Sequence, residues 1–102
     1  MRHRTRADAN SADIDKALRA VGATVLPLGN VGQGCPDRLV GFRKRNILME
    51  YKNPEQLKKC SKKQRENMMR TPAQVEFHRT WQGEIATVFS VDEALRAVGA
   101  IK

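Results

Sequence analysis

The sequence predicts one α/β domain in which helices flank a small mixed β-sheet. First, a length of 102 residues, of which 40% are hydrophobic, suits a single domain with one modest core. Second, apolar residues recur at helical spacing in some segments and form short extended runs in others. Third, these segments follow one another as helix, three strands, basic stretch, helix, strand and helix, an order typical of a sheet covered by helices.

The first helix is predicted over residues 11–21, where apolar residues recur at spacings of three and four. These residues are Ile14, Ala17, Leu18 and Val21. Asn10 or Ser11 can cap the start of this helix, and Gly22 can end it. The preceding residues 1–9 contain arginines without periodicity and are predicted to form a flexible basic arm.

Three extended runs, at residues 24–28, 38–42 and 46–52, are predicted to be strands. Residues 29–36, between the first two runs, are rich in glycine and contain a proline, so they are predicted to form a loop. The second and third runs are close enough in sequence to form an antiparallel hairpin. We expect the third strand to be central in the sheet.

A basic loop is predicted over residues 53–71, which carry six Lys or Arg residues and two Glu residues, a net charge of +4. Thr71 and Pro72 suit the cap and first turn of a helix that ends by Gly83. Trp81 lies at helical spacing among other apolar residues and is predicted to be in the core.

The last two elements are a strand and a short helix. Residues 85–89 form an apolar run that predicts the strand. Ser90, followed three residues later by Glu93, is a capping-box pattern that opens the helix, and Gly99 can end it.

The chain is strongly basic, with a formal net charge of +8 and a pI near 10.1. Such a balance favours a polyanionic partner, and nucleic acid is the leading class. No apolar run approaches the roughly 20 residues that span a bilayer, and the first residues do not resemble a secretory signal, so we expect a cytoplasmic protein without a membrane partner. Cys35 and Cys60 are too few for a disulfide framework or a four-thiolate zinc site and are expected to be free thiols.

Charged residues near the end of the third strand indicate a candidate site. Side chains alternate along a strand, so Glu50 and Lys52 share one face. A carboxylate and an ammonium on an otherwise apolar strand are costly to bury without a function or a partner. Asp37, at the start of the neighbouring strand, can place its carboxylate beside Glu50. Two carboxylates suit Mg²⁺ or Mn²⁺ rather than zinc, which favours Cys and His.

This set of residues permits phosphodiester hydrolysis. A divalent cation held by the two carboxylates would polarise the scissile phosphate and lower the pKa of a bound water. Lys52 would orient that water or stabilise negative charge on the phosphate. Gly34 would let a nucleic-acid strand approach closely, because its backbone carries no side chain. The alternative interpretation of Glu50 and Lys52 is an exposed strand end with a cross-strand ion pair.

The motif residues resemble those of a known group of nucleases. Pro36-Asp37 followed by Glu50-Tyr51-Lys52 resembles the PD-(D/E)xK pattern of the restriction-endonuclease-like superfamily, and the hairpin supplies the expected context. More closely, the chain resembles the minimal virus-type replication-repair (VRR-NUC) nucleases of bacteriophages. The further similar segments are Asp8-Ala9-Asn10, the G-x-G-x-P-D loop that ends at Asp37, Thr71-Pro72-Ala73-Gln74, and residues 90–95.

The resemblance implies a restriction-endonuclease-like fold and a Mg²⁺- or Mn²⁺-dependent endodeoxyribonuclease that acts as a homodimer in a bacterial host. Branched DNA, including Holliday junctions, is the implied substrate. The implied catalytic residues are Asp37, Glu50, Lys52 and Gln74. The implied cation ligands are Asp37, Glu50, the backbone carbonyl of Tyr51, and Asp13.

Two of these assignments have an alternative. Asp13 is one methylene shorter than the glutamate common at its position in the family, so contact through a water molecule is easier than direct ligation. Asp13 also suits a first-turn carboxylate favoured by the helix dipole. Gln74 lies in the first turn of its helix and is equally compatible with helix capping.

The predicted basic loop, together with Gly34, is the candidate DNA-binding surface. Its cations are Lys58, Lys59, Lys62, Lys63, Arg65 and Arg70. Neutralising several phosphates would make binding steeply dependent on salt. A charge run can also be only a solvated surface or a disordered loop.

Two other functions are compatible with the sequence. The chain could be a non-catalytic nucleic-acid-binding module in which the acidic residues are structural. It could also be the nuclease subunit of a larger phage replication or packaging complex.

Overall fold

The computed structural model of the chain describes residues 6–53 and 71–102. Within these ranges, three helices and a four-stranded mixed sheet follow one another in the predicted order, which confirms the α/β class. The elements are helix α1 (Arg6–Ala20), strands β1 (Thr24–Pro27), β2 (Arg38–Phe42) and β3 (Arg45–Tyr51), helix α2 (Pro72–Thr80), strand β4 (Glu84–Val88) and helix α3 (Val91–Val98).

The strands lie in the order β1-β2-β3-β4. β1 pairs antiparallel with β2, and β2 pairs antiparallel with β3, whereas β4 pairs parallel to β3. A parallel partner requires a crossover connection, which the segment containing α2 supplies. β3 therefore lies between two neighbours, as predicted for the strand that carries the candidate site.

Two residues, Arg43 and Lys44, close the hairpin between β2 and β3. Their φ angles are 50° and 68°, and positive φ at both central residues is typical of a type I′ turn. β3 consequently begins at Arg45, one residue earlier than predicted. The guanidinium of Arg45 pairs with Glu84 on β4 and donates a hydrogen bond to the carbonyl oxygen of Val98 at 3.3 Å.

Helix α1 begins at Arg6, so the prediction of a start at Ser11 was wrong. Residues 6–9 belong to the helix and not to a flexible arm, because Arg and Ala are good helix formers and extend the first turn backwards. Asn10 is therefore inside the helix and does not cap it. Residues 1–5 lie outside the described residues.

The core lies between one face of the sheet and helices α1 and α3. Ile14 and Leu18, four residues apart on α1, are fully buried and belong to one cluster with Met49 of β3 and Val98 of α3. The helical spacing that predicted α1 therefore identified its buried face correctly. Tyr51 also belongs to this cluster, at 8% exposure, and brings a hydroxyl group to its edge.

Helix α2 packs differently from the prediction. Thr71 and Gln74 form a reciprocal capping box at its start, as the sequence indicates. However, no residue of α2 is buried, and Val75 is 46% exposed. Trp81, which follows the helix, is 45% exposed, so its prediction as a core residue was wrong. Its ring stacks on Phe77 at a centroid distance of 5.2 Å instead of entering the core.

Helix α3 begins and ends as predicted. The Oγ of Ser90 accepts a hydrogen bond from the backbone amide of Glu93 at 3.2 Å, and Gly99 ends the helix with a φ of 88°. No helix in the described residues is both long and apolar enough to cross a membrane.

Residues 54–70 lie outside the described residues. The basic loop predicted over 53–71 therefore stays a prediction. The same holds for the DNA-binding role of its cations, which are Lys58, Lys59, Lys62, Lys63, Arg65 and Arg70.

Candidate active site

Asp37 and Glu50 come together because of the strand register. Arg38 pairs with Met49 across β2 and β3, which places Asp37, one residue before β2, beside the end of β3. The backbone amide of Tyr51 donates a hydrogen bond to Oδ2 of Asp37 at 2.8 Å. The two carboxylates that the sequence singled out are therefore neighbours at one end of the hairpin.

Glu50 is a buried charged residue, only 3% exposed. Burial and, after it, the charge of Asp37 together raise the pKa of Glu50 from 4.5 to about 7, although Lys52 opposes the shift. Its Oε2 accepts a hydrogen bond from Nε2 of Gln74 at 3.0 Å and lies 3.5 Å from Nζ of Lys52. Its Oε1 is buried and has no hydrogen-bond partner among the described residues. An unpaired buried carboxylate oxygen is costly, so this atom is available to a hydrogen-bond donor or a cation.

Gln74 links the cluster to helix α2. Its Oε1 accepts hydrogen bonds from Nζ of Lys52 at 3.2 Å and from the backbone amide of Thr71 at 2.9 Å. The same side-chain amide therefore caps the helix and fixes Glu50 and Lys52. The two interpretations of Gln74 that the sequence left open are compatible, and the structure has both sets of contacts.

Gly34 allows the loop before β2 to touch the start of α2. A Cβ atom placed on Gly34 would overlap the carbonyl group of Ala73 and lie 2.8 Å from the amide nitrogen of Gln74. Its φ of +79° also favours glycine. The close approach at Gly34 is thus made by this chain's own backbone, which brings Gln74 within reach of Glu50. Contact between Gly34 and nucleic acid stays a prediction.

Asp13 is not brought to the cluster. It is exposed on α1, and no hydrogen bond or ion pair joins it to another described residue. Its assignment as a cation ligand stays a prediction.

Asn10 was missed as a site residue. Its Nδ2 donates a hydrogen bond to the backbone carbonyl of Lys52 at 3.0 Å, which ties α1 to the end of β3. Asn10 lies four residues before Ile14, and residues at that spacing share one helix face. This spacing was the available signal, but the residue type suggested a helix cap instead.

A second carboxylate on α1, Asp15, was also missed. It accepts hydrogen bonds from the hydroxyl of Tyr51 at 2.9 Å and from the guanidinium of Arg38 at 3.1 Å. Burial raises the pKa of Tyr51, and the hydrogen bond to Asp15 raises it further, so the phenol stays protonated and acts as a donor. Nothing in the sequence pattern distinguished Asp15 from other charged helix residues.

Cys35 lies near both carboxylates. Burial raises the pKa of its thiol, and the charges of Glu50 and Asp37 raise it further. It is a free cysteine, as predicted, while Cys60 lies outside the described residues.

The donor set fits a hard divalent cation. The described residues contain no group of three or more His, Cys, Asp or Glu residues suited to a metal. Asp37 and Glu50 supply two carboxylates, and Mg²⁺ commonly uses only one or two carboxylates together with water and substrate phosphate. The unpartnered Oε1 of Glu50 is the atom that such a cation would satisfy.

No protein-family model matches this sequence, and neither a curated protein nor a solved structure matches the chain.

Proposed function

We propose that the protein is a Mg²⁺- or Mn²⁺-dependent endonuclease of the PD-(D/E)xK type that hydrolyses DNA phosphodiester bonds. The observation that carries the proposal is the buried Glu50 beside the half-buried Asp37 and Lys52, with one oxygen of Glu50 left without a partner among the described residues. Burying a carboxylate for a purely structural purpose costs less free energy when each of its oxygens has a hydrogen-bond partner. The unpartnered oxygen of Glu50 therefore favours a binding role.

The roles of the residues follow from their positions. Asp37 and Glu50 would hold the cation, which when bound supplies a Lewis acid for the phosphate and activates water. The side-chain nitrogen of Lys52 lies 3.5 Å from Glu50, where it would stabilise negative charge developing on the phosphate. Gln74 bonds to both Glu50 and Lys52, which restricts these two side chains and preserves the distance between them.

The substrate part of the proposal depends on charge and resemblance. A net charge of +8 favours a polyanion, and the resemblance to the VRR-NUC nucleases favours branched DNA. A homodimer with two symmetry-related sites would account for paired cuts in opposed strands of a junction. Light scattering should then report a dimer, and a monomer that still makes paired cuts would exclude this geometry.

The test compares cleavage of a labelled four-way junction with that of a matched linear duplex, in Mg²⁺, in Mn²⁺ and in chelator. The wild type should cut only with metal and should prefer the junction. Asp37→Ala should abolish cutting, whereas Glu76→Gln, which changes an exposed carboxylate on α2, should cut like the wild type. Equal cutting by Asp37→Ala and the wild type would overturn the proposal.

A nucleic-acid-binding module is the second candidate function. It is favoured by the raised pKa of Glu50, because a protonated Glu50 could persist near neutral pH as a structural group without metal. This function predicts salt-sensitive binding and no cleavage in any metal. Cleavage that appears only when other components are added would instead favour a nuclease subunit of a larger complex.

A further inference from the structure

We infer that Asp15 is a positioning residue for the proposed cation site and that it acts through Tyr51 and Arg38. The inference rests on the proposed function and adds three side chains that no motif identified. All three lie close to the proposed ligands in space. Two of them also adjoin the ligands in sequence, because Arg38 follows Asp37 and Tyr51 follows Glu50.

These residues form a closed ring of hydrogen bonds. The carboxylate of Asp15 accepts from the hydroxyl of Tyr51 at 2.9 Å and from Nε and Nη2 of Arg38, each at 3.1 Å. Nη1 of Arg38 donates to the backbone carbonyl of Asp37 at 3.1 Å. The backbone amide of Tyr51 donates to the Oδ2 atom of Asp37 at 2.8 Å, which completes the ring.

The ring connects the face of the sheet that packs on the core to the face that carries Glu50. Successive side chains of β3 point to opposite faces, so Tyr51 lies on the face of α1 while Glu50 lies on the other. Fixing the phenol restrains the backbone of Tyr51, whose amide donates to Asp37 and whose carbonyl is a proposed cation ligand. The guanidinium of Arg38 also lies 5.1 Å from the centre of the Tyr51 ring, which restricts the ring further.

Asp15 has a second effect, which is to hold the guanidinium of Arg38 in an ion pair. A guanidinium binds a carboxylate strongly through two parallel hydrogen bonds, and Arg38 is adjacent to Asp37. With Asp15 in place, the guanidinium of Arg38 pairs with Asp15 and contacts only the backbone carbonyl of Asp37. The carboxylate of Asp37 is then left to other partners. Without the charge of Asp15, Arg38 would be free to turn to the Asp37 carboxylate and compete with the cation.

The test measures Mn²⁺ binding to the full chain without DNA, from the electron paramagnetic resonance signal of free Mn²⁺. Asp15→Asn and Tyr51→Phe should each weaken binding by about tenfold or more, the size seen when outer partners of metal ligands are changed. The double variant should bind no more weakly than Asp15→Asn alone, because both changes open the same ring. Glu84→Gln, which breaks an exposed ion pair at the other end of β3, should bind like the wild type.

Thermal unfolding without metal separates positioning from a merely structural role. If both variants fold but bind Mn²⁺ like the wild type, even with a lower Tm, the inference is overturned and the proposed function stands. If Asp15→Asn does not fold, Tyr51→Phe decides: a tenfold loss supports the inference, and wild-type binding overturns it. If the wild type itself binds no Mn²⁺, the proposed function fails and the inference fails with it.

Discussion

Lys52 is the residue whose replacement best separates cutting from binding. Its side-chain nitrogen lies between Glu50 and Gln74, one residue after the end of β3. Lys52→Ala should lower the rate of cleavage by about 10²- to 10³-fold, the size of loss when one preorganised donor is removed. DNA binding should change little, as measured by fluorescence anisotropy in chelator. Lys44→Ala, which removes an exposed cation at the hairpin turn, should leave both quantities unchanged, and equal losses in the two variants would contradict the assignment.

Glu50 should make the stability of the metal-free protein depend on pH. Because folding raises the pKa of Glu50 from 4.5 to about 7, the folded protein keeps a proton there that the unfolded chain releases. The resulting stabilisation is present below pH 4.5 and is lost as the pH rises towards 7, by up to about 3 kcal/mol. Urea unfolding in chelator should therefore show a flatter pH dependence for Glu50→Gln than for the wild type.

The matched control for that measurement is Glu76→Gln. Glu76 is exposed on α2, and its hydrogen bond with Arg79 lowers its pKa, the opposite direction to Glu50. Between pH 4.5 and 7, the free energy of unfolding of Glu76→Gln should therefore fall as steeply as that of the wild type. A wild-type pH dependence in Glu50→Gln would show that Glu50 is charged in the folded state over this range.

The sequence predicted the residues on the strands better than those on the first helix. The proximity of Asp37, Glu50 and Lys52 was predicted because strand alternation and the hairpin fix which side chains meet. Asn10 and Asp15 were missed, and Asp13 was chosen instead, because helical periodicity alone does not say how the helix is rotated over the end of a sheet. That rotation depends on the packing of Ile14 and Leu18 against the core.

At the scale of elements, the contact between the loop at Gly34 and helix α2 controls where Gln74 lies. Gly34→Ala would force the Cβ atom into the carbonyl group of Ala73 and would strain a φ of +79°. We expect the free energy of unfolding to fall by about 2–3 kcal/mol, because the strain and the clash add. Cleavage should fall as well, since the start of α2 must move away from Glu50.

Gly32→Ala is the control for this change. Gly32 has a similar φ of +77° but open space where its Cβ would lie, so it carries the backbone strain without the clash. The free energy of unfolding of Gly32→Ala should fall by only about 1 kcal/mol. Urea titration of both variants measures the two losses. Equal losses in the two variants would mean that the contact with Ala73 does not position the helix.

Local signals predicted element ends well, and tertiary contacts explain the exceptions. The caps at Thr71 and Ser90 depend on residues within one turn, and both were predicted. The start of α1 was missed because the polar Asn10 bonds to the distant carbonyl of Lys52 rather than to its own helix. Trp81 was misassigned because α2 meets the rest of the fold through Gln74 and not through an apolar face.

At the scale of the whole molecule, the positive charge is unevenly distributed along the chain. Residues 54–70 account for +4 of the net +8, and the two arginines within residues 1–5 add +2. The described residues are therefore nearly balanced, with +2. We expect the attraction for DNA to come mainly from these two segments, while the carboxylate site supplies the chemistry.

A variant that replaces Lys58, Lys59, Lys62 and Lys63 with Gln tests this division. If each lysine neutralises one phosphate, the slope of log affinity against log salt should become less steep by roughly 3 to 4. The rate of cleavage at saturating DNA should stay near that of the wild type. An unchanged slope would show that these lysines do not contact the phosphate backbone.

Metal-dependent cleavage by Glu50→Gln and Glu76→Gln tests the central claim most directly. Both substitutions replace a carboxyl group with an amide of nearly the same size, so the two variants have the same formal net charge and should attract DNA similarly. If the carboxylate pair is the nuclease centre, Glu76→Gln should cut a four-way junction in Mg²⁺ or Mn²⁺ at the wild-type rate, and Glu50→Gln should not cut. Wild-type cutting by Glu50→Gln, or no cutting by any of the three proteins, would contradict the account.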